Sequence, residues 1–179
     1  LVGRFFGVIK FTPHSGSDTL DFSLPRLEKS YGVGHTDFHV DFDPNLTVEK
    51  DLGRRDFTIN AIAQDLRTGG LIDVFNGQAD LQARILRMVI PSAFVEDPLR
   101  ILRGIQFAAR FDLTVDSAAY EAMKDSADLI KTISAERIAE ELNKLLLLAK
   151  KPSSGFRLMQ EIGVLKHILP ELEATVGVD

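Results

Sequence analysis

The eight residues Glu96 to Arg103 (EDPLRILR) place an acid and two guanidinium groups where they could read a nucleobase. Asp97 followed by Pro98 is a strong helix start, a carboxylate cap and then proline at the first helical position. The spacing of Leu99, Ile101, Leu102, Ile105, Ala108 and Ala109 predicts a helix from about Pro98 to Arg110 with a broad apolar side. Asp97, Arg100, Arg103, Gln106 and Arg110 fall close to one polar stripe on the other side. Asp97 offers an acceptor one turn below the donor fork of Arg100, and Arg103 adds a second fork above. Such a set can read the edge of a base and hold phosphate. The same letters also suit a purely structural amphipathic helix, so the choice falls to the rest of the chain.

Between Lys50 and Lys124 there are eight arginines and no lysine. Arginine gives planar, two-pronged recognition of phosphates and bases, where lysine gives a mobile point charge. Ten acids share the interval and pair with some of them. The net charge of −5 argues against nucleic-acid binding by bulk positive charge, although it leaves room for a local basic groove. Without cysteine there are no disulfides or thiolate metal sites, which suits the cytoplasm. No apolar run approaches membrane-spanning length, and no signal-peptide pattern opens the chain. The first residue is Leu1, and a preceding segment is expected.

Residues 1 to about 90 read as mixed β and short α. Val2 to Phe11 and Thr19 to Leu24 are expected to form a hairpin around a turn at Pro13 to Asp18. Leu20, Phe22 and Leu24 share one face of the second strand, so Asp21 points away from it. Lys29 to Lys50 reads as a mobile polar connection. Within it His35, Asp37, His39, Asp41 and Asp43 alternate with apolar residues and could line one face with metal ligands. A short helix is expected from about Phe57, strands over Leu71 to Val74 and Ile85 to Ile90, and a short helix around Asp80. After Pro91 the pattern is helical: Ser117 to Leu129, a helix capped by Ser134, and a last one from Gly155 to Ile168.

Four stretches stand in order along the chain: RRDFTINAIA (Arg54 to Ala63), Asp73-x-Phe75-x-Gly77-x-x-Asp80, EDPLRILR, and Ser134-Ala135-Glu136-Arg137-Ile138. Together they resemble the class II tRNA nucleotidyltransferases, the family of CCA-adding enzymes and bacterial poly(A) polymerases. The resemblance implies an α+β chain: a partial nucleotidyltransferase β-sheet head over residues 1–90, an all-helical neck selecting the nucleotide over 91–150, and the start of a helical, RNA-binding body over 151–179. It implies transfer of CMP and AMP from CTP and ATP to a tRNA 3′ end without a nucleic acid template, with Mg²⁺. Poly(A), CC-only or A-only addition remains open, as does a non-catalytic RNA- or nucleotide-binding module, and the oligomeric state is not legible.

By the same resemblance Asp97 and Arg100 select the base, Arg55 and Arg103 contact phosphate or ribose, and Asp56 and Asn60 shape the ribose site. Asp73, Phe75, Gly77 and Asp80 are expected to be structural, and Ser134 to Arg137 to cap and pack a helix. Two departures stand out. Gln106 occupies a position where many members carry arginine. The family's glycine-rich stretch with its Asp-x-Asp metal ligands is missing from this sequence. Asp21 resembles the third carboxylate of that cluster, the catalytic and metal position, and one carboxylate cannot organise two metals. Residues 1 to 179 alone are therefore expected to be inactive.

Overall fold

The computed structural model describes residues 8–12, 19–30 and 38–178, and for 26–30 and 38–42 the backbone only. The chain divides into two compact units, Leu1–Arg54 and Arg55–Asp179.

The first unit holds two antiparallel pairs. Strand β1 (Val8–Phe11) pairs with β2 (Leu20–Ser23), with Lys10 opposite Asp21 and Ile9 opposite Phe22, as the alternating pattern predicts. Strand β3 (Arg26–Ser30) pairs with β4 (Phe38–Phe42). Part of the span read as a mobile polar connection, Lys29 to Lys50, is thus strand, and residues 31–37 of it lie outside the described residues. Phe38, Val40 and Phe42 alternate as strand residues should, and a partner strand just upstream satisfies their backbone groups. The unit ends in helix α1 (Val48–Gly53), whose Leu52 is buried.

The second unit is built around one long helix. After a single 3₁₀ turn (Thr58–Asn60) come the short antiparallel pair β5 (Ala63–Gln64) and β6 (Leu71–Ile72), helix α2 (Gly77–Ala83), strand β7 (Ile85–Leu86) and helix α3 (Ala93–Glu96). Helix α4 (Leu99–Phe111) follows, then strand β8 (Thr114–Val115), which pairs in parallel with β7. Helix α5 (Ser117–Asp125) leads to a 3₁₀ segment (Ala127–Thr132) where a continuous helix to Leu129 was expected. Helices α6 (Ala135–Leu148), α7 (Pro152–Glu161), α8 (Leu165–Ile168) and α9 (Pro170–Glu173) complete it. The single helix expected from Gly155 to Ile168 is two, because Gly163 takes φ +79°, a left-handed conformation that ends α7.

Helix α4 packs against α3, α6 and α7. Ile101, Leu102 and Ile105 are fully buried with Phe57, Phe94, Met123, Leu145 and Met159, each such side chain contributing roughly 1.5–3 kcal/mol. The Phe57 ring tilts against Phe94 at 6.1 Å and meets Phe107 edge-on at 6.0 Å, tying the segment before the 3₁₀ turn to α3 and α4. Gly104 allows this approach: a Cβ there would stand 2.7 Å from the Phe57 ring and 2.4 Å from Met123 Cε. No helix among the described residues is long and apolar enough to cross a membrane.

Candidate functional site

The start of α4 is set by local chemistry. Asp97 is extended (φ −141°, ψ 97°), and Pro98 already has helical angles (φ −61°, ψ −20°). The Asp97 carbonyl accepts from the Arg100 amide at 3.0 Å, and its Oδ1 accepts from the Leu99 amide at 3.2 Å. The acid therefore caps the helix as the Asp-Pro pair predicts. Its other oxygen, Oδ2, accepts from Arg137 Nη2 at 3.3 Å, from the first turn of α6. The Asp97 side chain stays 29% exposed, so both oxygens are fixed and the acid still faces solvent.

Arg100 lies one turn on, and its place corrects the sequence reading. An outer polar stripe was expected, yet the Arg100 side chain is only 11% exposed. Its Nη1 donates to the Ala93 carbonyl at 3.3 Å and lies 3.8 Å from Glu96 Oε2. Glu96 in turn accepts from Ser92 Oγ at 2.6 Å. The turn at Asp97 sets α3 against α4, so the guanidinium reaches back to a carbonyl that also accepts from the Asp97 amide at 3.3 Å. Gln106 is buried as well, and its Oε1 has no hydrogen-bond partner among the described residues.

A second group gathers on Asp56, which is 6% exposed. Its Oδ1 accepts from the Phe57 amide at 2.8 Å and from Asn60 Nδ2 at 3.0 Å. Its Oδ2 accepts from Arg103 Nε at 2.8 Å, with Nη2 also at 2.8 Å. Arg103 also lies over the Phe107 ring, 5.4 Å from its centroid. Arg55 Nη1 donates to the Asn60 carbonyl at 2.9 Å. The structure thus gathers Asp56, Asn60, Arg103 and Arg55 around the 3₁₀ turn, and the helix expected from Phe57 is this turn alone. Arg54 belongs elsewhere, paired with Asp51 at 2.9 Å.

The segment is braced from behind. Thr58 Oγ1 donates to Asp80 Oδ2 at 2.7 Å, and Arg87 spans Asp80 (3.1 Å) and Asp116 (2.7 Å). The hydrogen bond to Asp80, offset in part by burial, holds the Arg87 guanidinium above its ordinary pKa. Asp73 accepts from the Gly77 and Gln78 amides, at 2.7 and 2.9 Å, and so caps α2. A Cβ on Gly77 would stand 2.2 Å from the Thr58 carbonyl oxygen, so only glycine lets α2 approach the turn.

In the first unit, Asp21 Oδ2 lies 3.9 Å from Lys10 Nζ and the side chain is 56% exposed. Among the described residues no three His, Cys, Asp or Glu side chains group as a metal site would require. Of the run His35 to Asp43, His35 and Asp37 and the side chains of His39 and Asp41 lie outside the described residues. Asp43 Oδ1 accepts from the Asn45 amide, closing a turn. An exposed carboxylate facing a lysine does not fit a two-ion centre.

A family described as the poly(A) polymerase head domain matches residues 2–87, and one described as a probable RNA- and SrmB-binding site of polymerase A matches residues 112–175. The chain belongs to the tRNA nucleotidyltransferase and poly(A) polymerase family. Nucleotidyltransferases of this family generally use divalent metal ions. A multifunctional CCA protein of Xanthomonas euvesicatoria pv. vesicatoria is 44% identical over 99% of this chain and 43% of its own length. Its counterpart in Paraburkholderia phytofirmans is 44% identical over 88% of the chain and 40% of its own length. The chain thus spans about two fifths of the curated relatives it matches. Among solved structures, an apo CCA-adding enzyme has a TM-score of 0.76 at 31% identity, over 94% of this chain and 42% of that one. A Thermotoga maritima CCA-adding enzyme complexed with tRNA has 0.66 at 38% identity, over 70% and 32%. The α+β class expected for this nucleotidyltransferase family member matches the head and neck of those enzymes.

Sequence reasoning missed Arg137, which it gave a capping and packing role. The available signal was the position of the arginine in the first turn after Ser134. Which helix that turn would meet is set by packing alone. Ser134 itself makes no side-chain bond to the α6 amides; its carbonyl accepts from Ile138 N at 3.2 Å.

Proposed function

We propose that the protein to which this chain belongs adds CMP and AMP from CTP and ATP to tRNA 3′ ends without a nucleic acid template. The observation that carries the reading is Asp97, fixed at both oxygens and partly exposed, with Arg100 one turn on in the same helix. Cytosine and adenine share an exocyclic amino donor beside a ring-nitrogen acceptor. A carboxylate accepts from the first and a guanidinium donates to the second. Uracil and guanine present a carbonyl and a ring N–H, which oppose both groups. A good two-point base contact discriminates by about 1–3 kcal/mol, roughly 5- to 150-fold.

Solved CCA-adding enzymes in complex with CTP, with ATP and with tRNA support these partners. Arg55 and Arg103 face phosphate or ribose in this reading. Asp56 and Asn60 shape the ribose side, with Asp56 acting through the Arg103 guanidinium it orients. Residues 1–90 form the head, 91–150 the nucleotide-selecting neck and 151–179 the start of the body. The protein works in the cytoplasm with Mg²⁺, toward which Asp21 would supply one carboxylate. The poly(A) polymerase description of the matched head favours one second reading, addition of AMP alone.

Calorimetric titration of residues 1–179 with the four ribonucleoside triphosphates tests the choice. CTP and ATP should bind at least about fivefold more tightly than UTP and GTP, and Asp97→Ala should level the four. Preference for ATP alone supports the second reading. Equal affinity for all four refutes both.

A further inference from the structure

We propose that Arg137 is a positioning residue for base selection: its hydrogen bond to Asp97 Oδ2 fixes the plane of the acid, so that the remaining lone pair faces the amino group of the incoming base. This rests on the reading of Asp97 as the base-selecting acid.

An ionised carboxylate has about four acceptor sites. The Leu99 amide occupies one on Oδ1, at 3.2 Å, and Arg137 Nη2 one on Oδ2, at 3.3 Å. Among the described residues, one acceptor direction on each oxygen is left. The terminal torsion of aspartate is broad and roughly two-fold, so an acid held at one oxygen can still swing. Held at two, by its own helix and by α6, it cannot. The partner comes from forty residues along the chain, so the orientation depends on α4 and α6 being packed together. Arg137 is 38% exposed and Asp97 29%, and ion pairs this open to water add little to stability. Its larger effect is therefore on orientation, and the loss of Arg137 should appear as lost discrimination.

The test compares CTP with UTP binding by residues 1–179 in the wild type, Asp97→Ala, Arg137→Ala, Arg137→Lys and the double alanine variant, with circular dichroism confirming the fold. The wild type should prefer CTP, and Asp97→Ala should abolish the preference. Arg137→Ala should cut the CTP:UTP ratio by about 3- to 10-fold, the scale of one ordinary net hydrogen bond, because the pair is open to water. Arg137→Lys should recover part of it, and the double variant should match Asp97→Ala. Should Arg137→Ala unfold, Arg137→Gln supplies the same comparison.

If Asp97→Ala levels the bases while Arg137→Ala keeps the wild-type ratio, the positioning role is overturned and base reading by Asp97 stands. A ratio that Arg137→Ala also lowers in the Asp97→Ala background overturns it in favour of direct contact with the base. A wild type without preference, or an Asp97→Ala variant that keeps it, refutes the base-reading role and this inference together.

Discussion

Replacing Asp56 by asparagine should unsettle the segment that carries Arg55, Asn60 and Arg103. The change keeps volume and removes charge. Oδ2 accepts from Arg103 Nε and Nη2, and Oδ1 from the Phe57 amide and Asn60. Asparagine has one acceptor oxygen, so its NH₂ must face either the guanidinium or the Phe57 and Asn60 donors. A hydrogen bond to a charged group contributes about 1.5–3 kcal/mol, and breaking a buried ion pair costs about 3–5 kcal/mol. Arg103 is one-third exposed and can rehydrate, so the cost falls below the buried-pair range, at about 2–3 kcal/mol. For a domain of this size each kcal/mol moves Tm by about 3–5 °C, so the midpoint should fall by roughly 10 °C. Thermal unfolding followed by circular dichroism measures it. In an Arg103→Met background the Asp56→Asn penalty should shrink, giving a coupling energy of about 1–2 kcal/mol. A midpoint within about 2 °C of wild type, or purely additive effects, would refute Asp56 as the organiser of this segment.

Three further outcomes follow from the same geometry. Gly77→Ala, whose Cβ would meet the Thr58 carbonyl oxygen at 2.2 Å, should lower stability in urea by about 2–3 kcal/mol even though alanine favours helix. Asp73, whose carboxyl is held below its ordinary value of 3.8 mainly by the Gln78 amide against some desolvation, should stabilise fully above pH 3.8 and lose that contribution as pH falls through its lowered folded value. The stability gap between wild type and Asp73→Asn should therefore be constant near neutral pH and close only on acidification, and a gap that grows instead would contradict the capping geometry. Residues 1–179 mixed with tRNA, CTP, ATP and Mg²⁺ should show no 3′ extension by gel, since Asp21 alone cannot organise two ions; turnover would refute that expectation.

What was legible in the sequence is what local chemistry decides. The Asp97-Pro98 pair fixed the start of α4, and period-two alternation revealed the pairing of β1 with β2. Asp73 and Gly77 were read as structural and prove so, because a cap and a glycine contact act over a few residues. The errors lie where partners are distant or where a pattern runs past a stop. Leu158, Ile162 and Leu165 keep an apolar rhythm across Gly163, hiding the left-handed residue that splits α7 from α8. Thr114 and Val115 become a strand only because β7 lies beside them. Arg100 looked solvent-facing because helical periodicity says nothing of α3 folding against that side. Arg137 reached Asp97 through the packing of α6 on α4, which no spacing reveals.

The most direct measurement is a structure of residues 1–179 with CTP bound. The account predicts the cytosine amino group within hydrogen-bond distance of an Asp97 carboxylate oxygen, its ring nitrogen facing the Arg100 guanidinium, and Arg137 still paired with Asp97. A cytosine seated elsewhere, with Asp97 and Arg100 retaining only their protein partners, would contradict it.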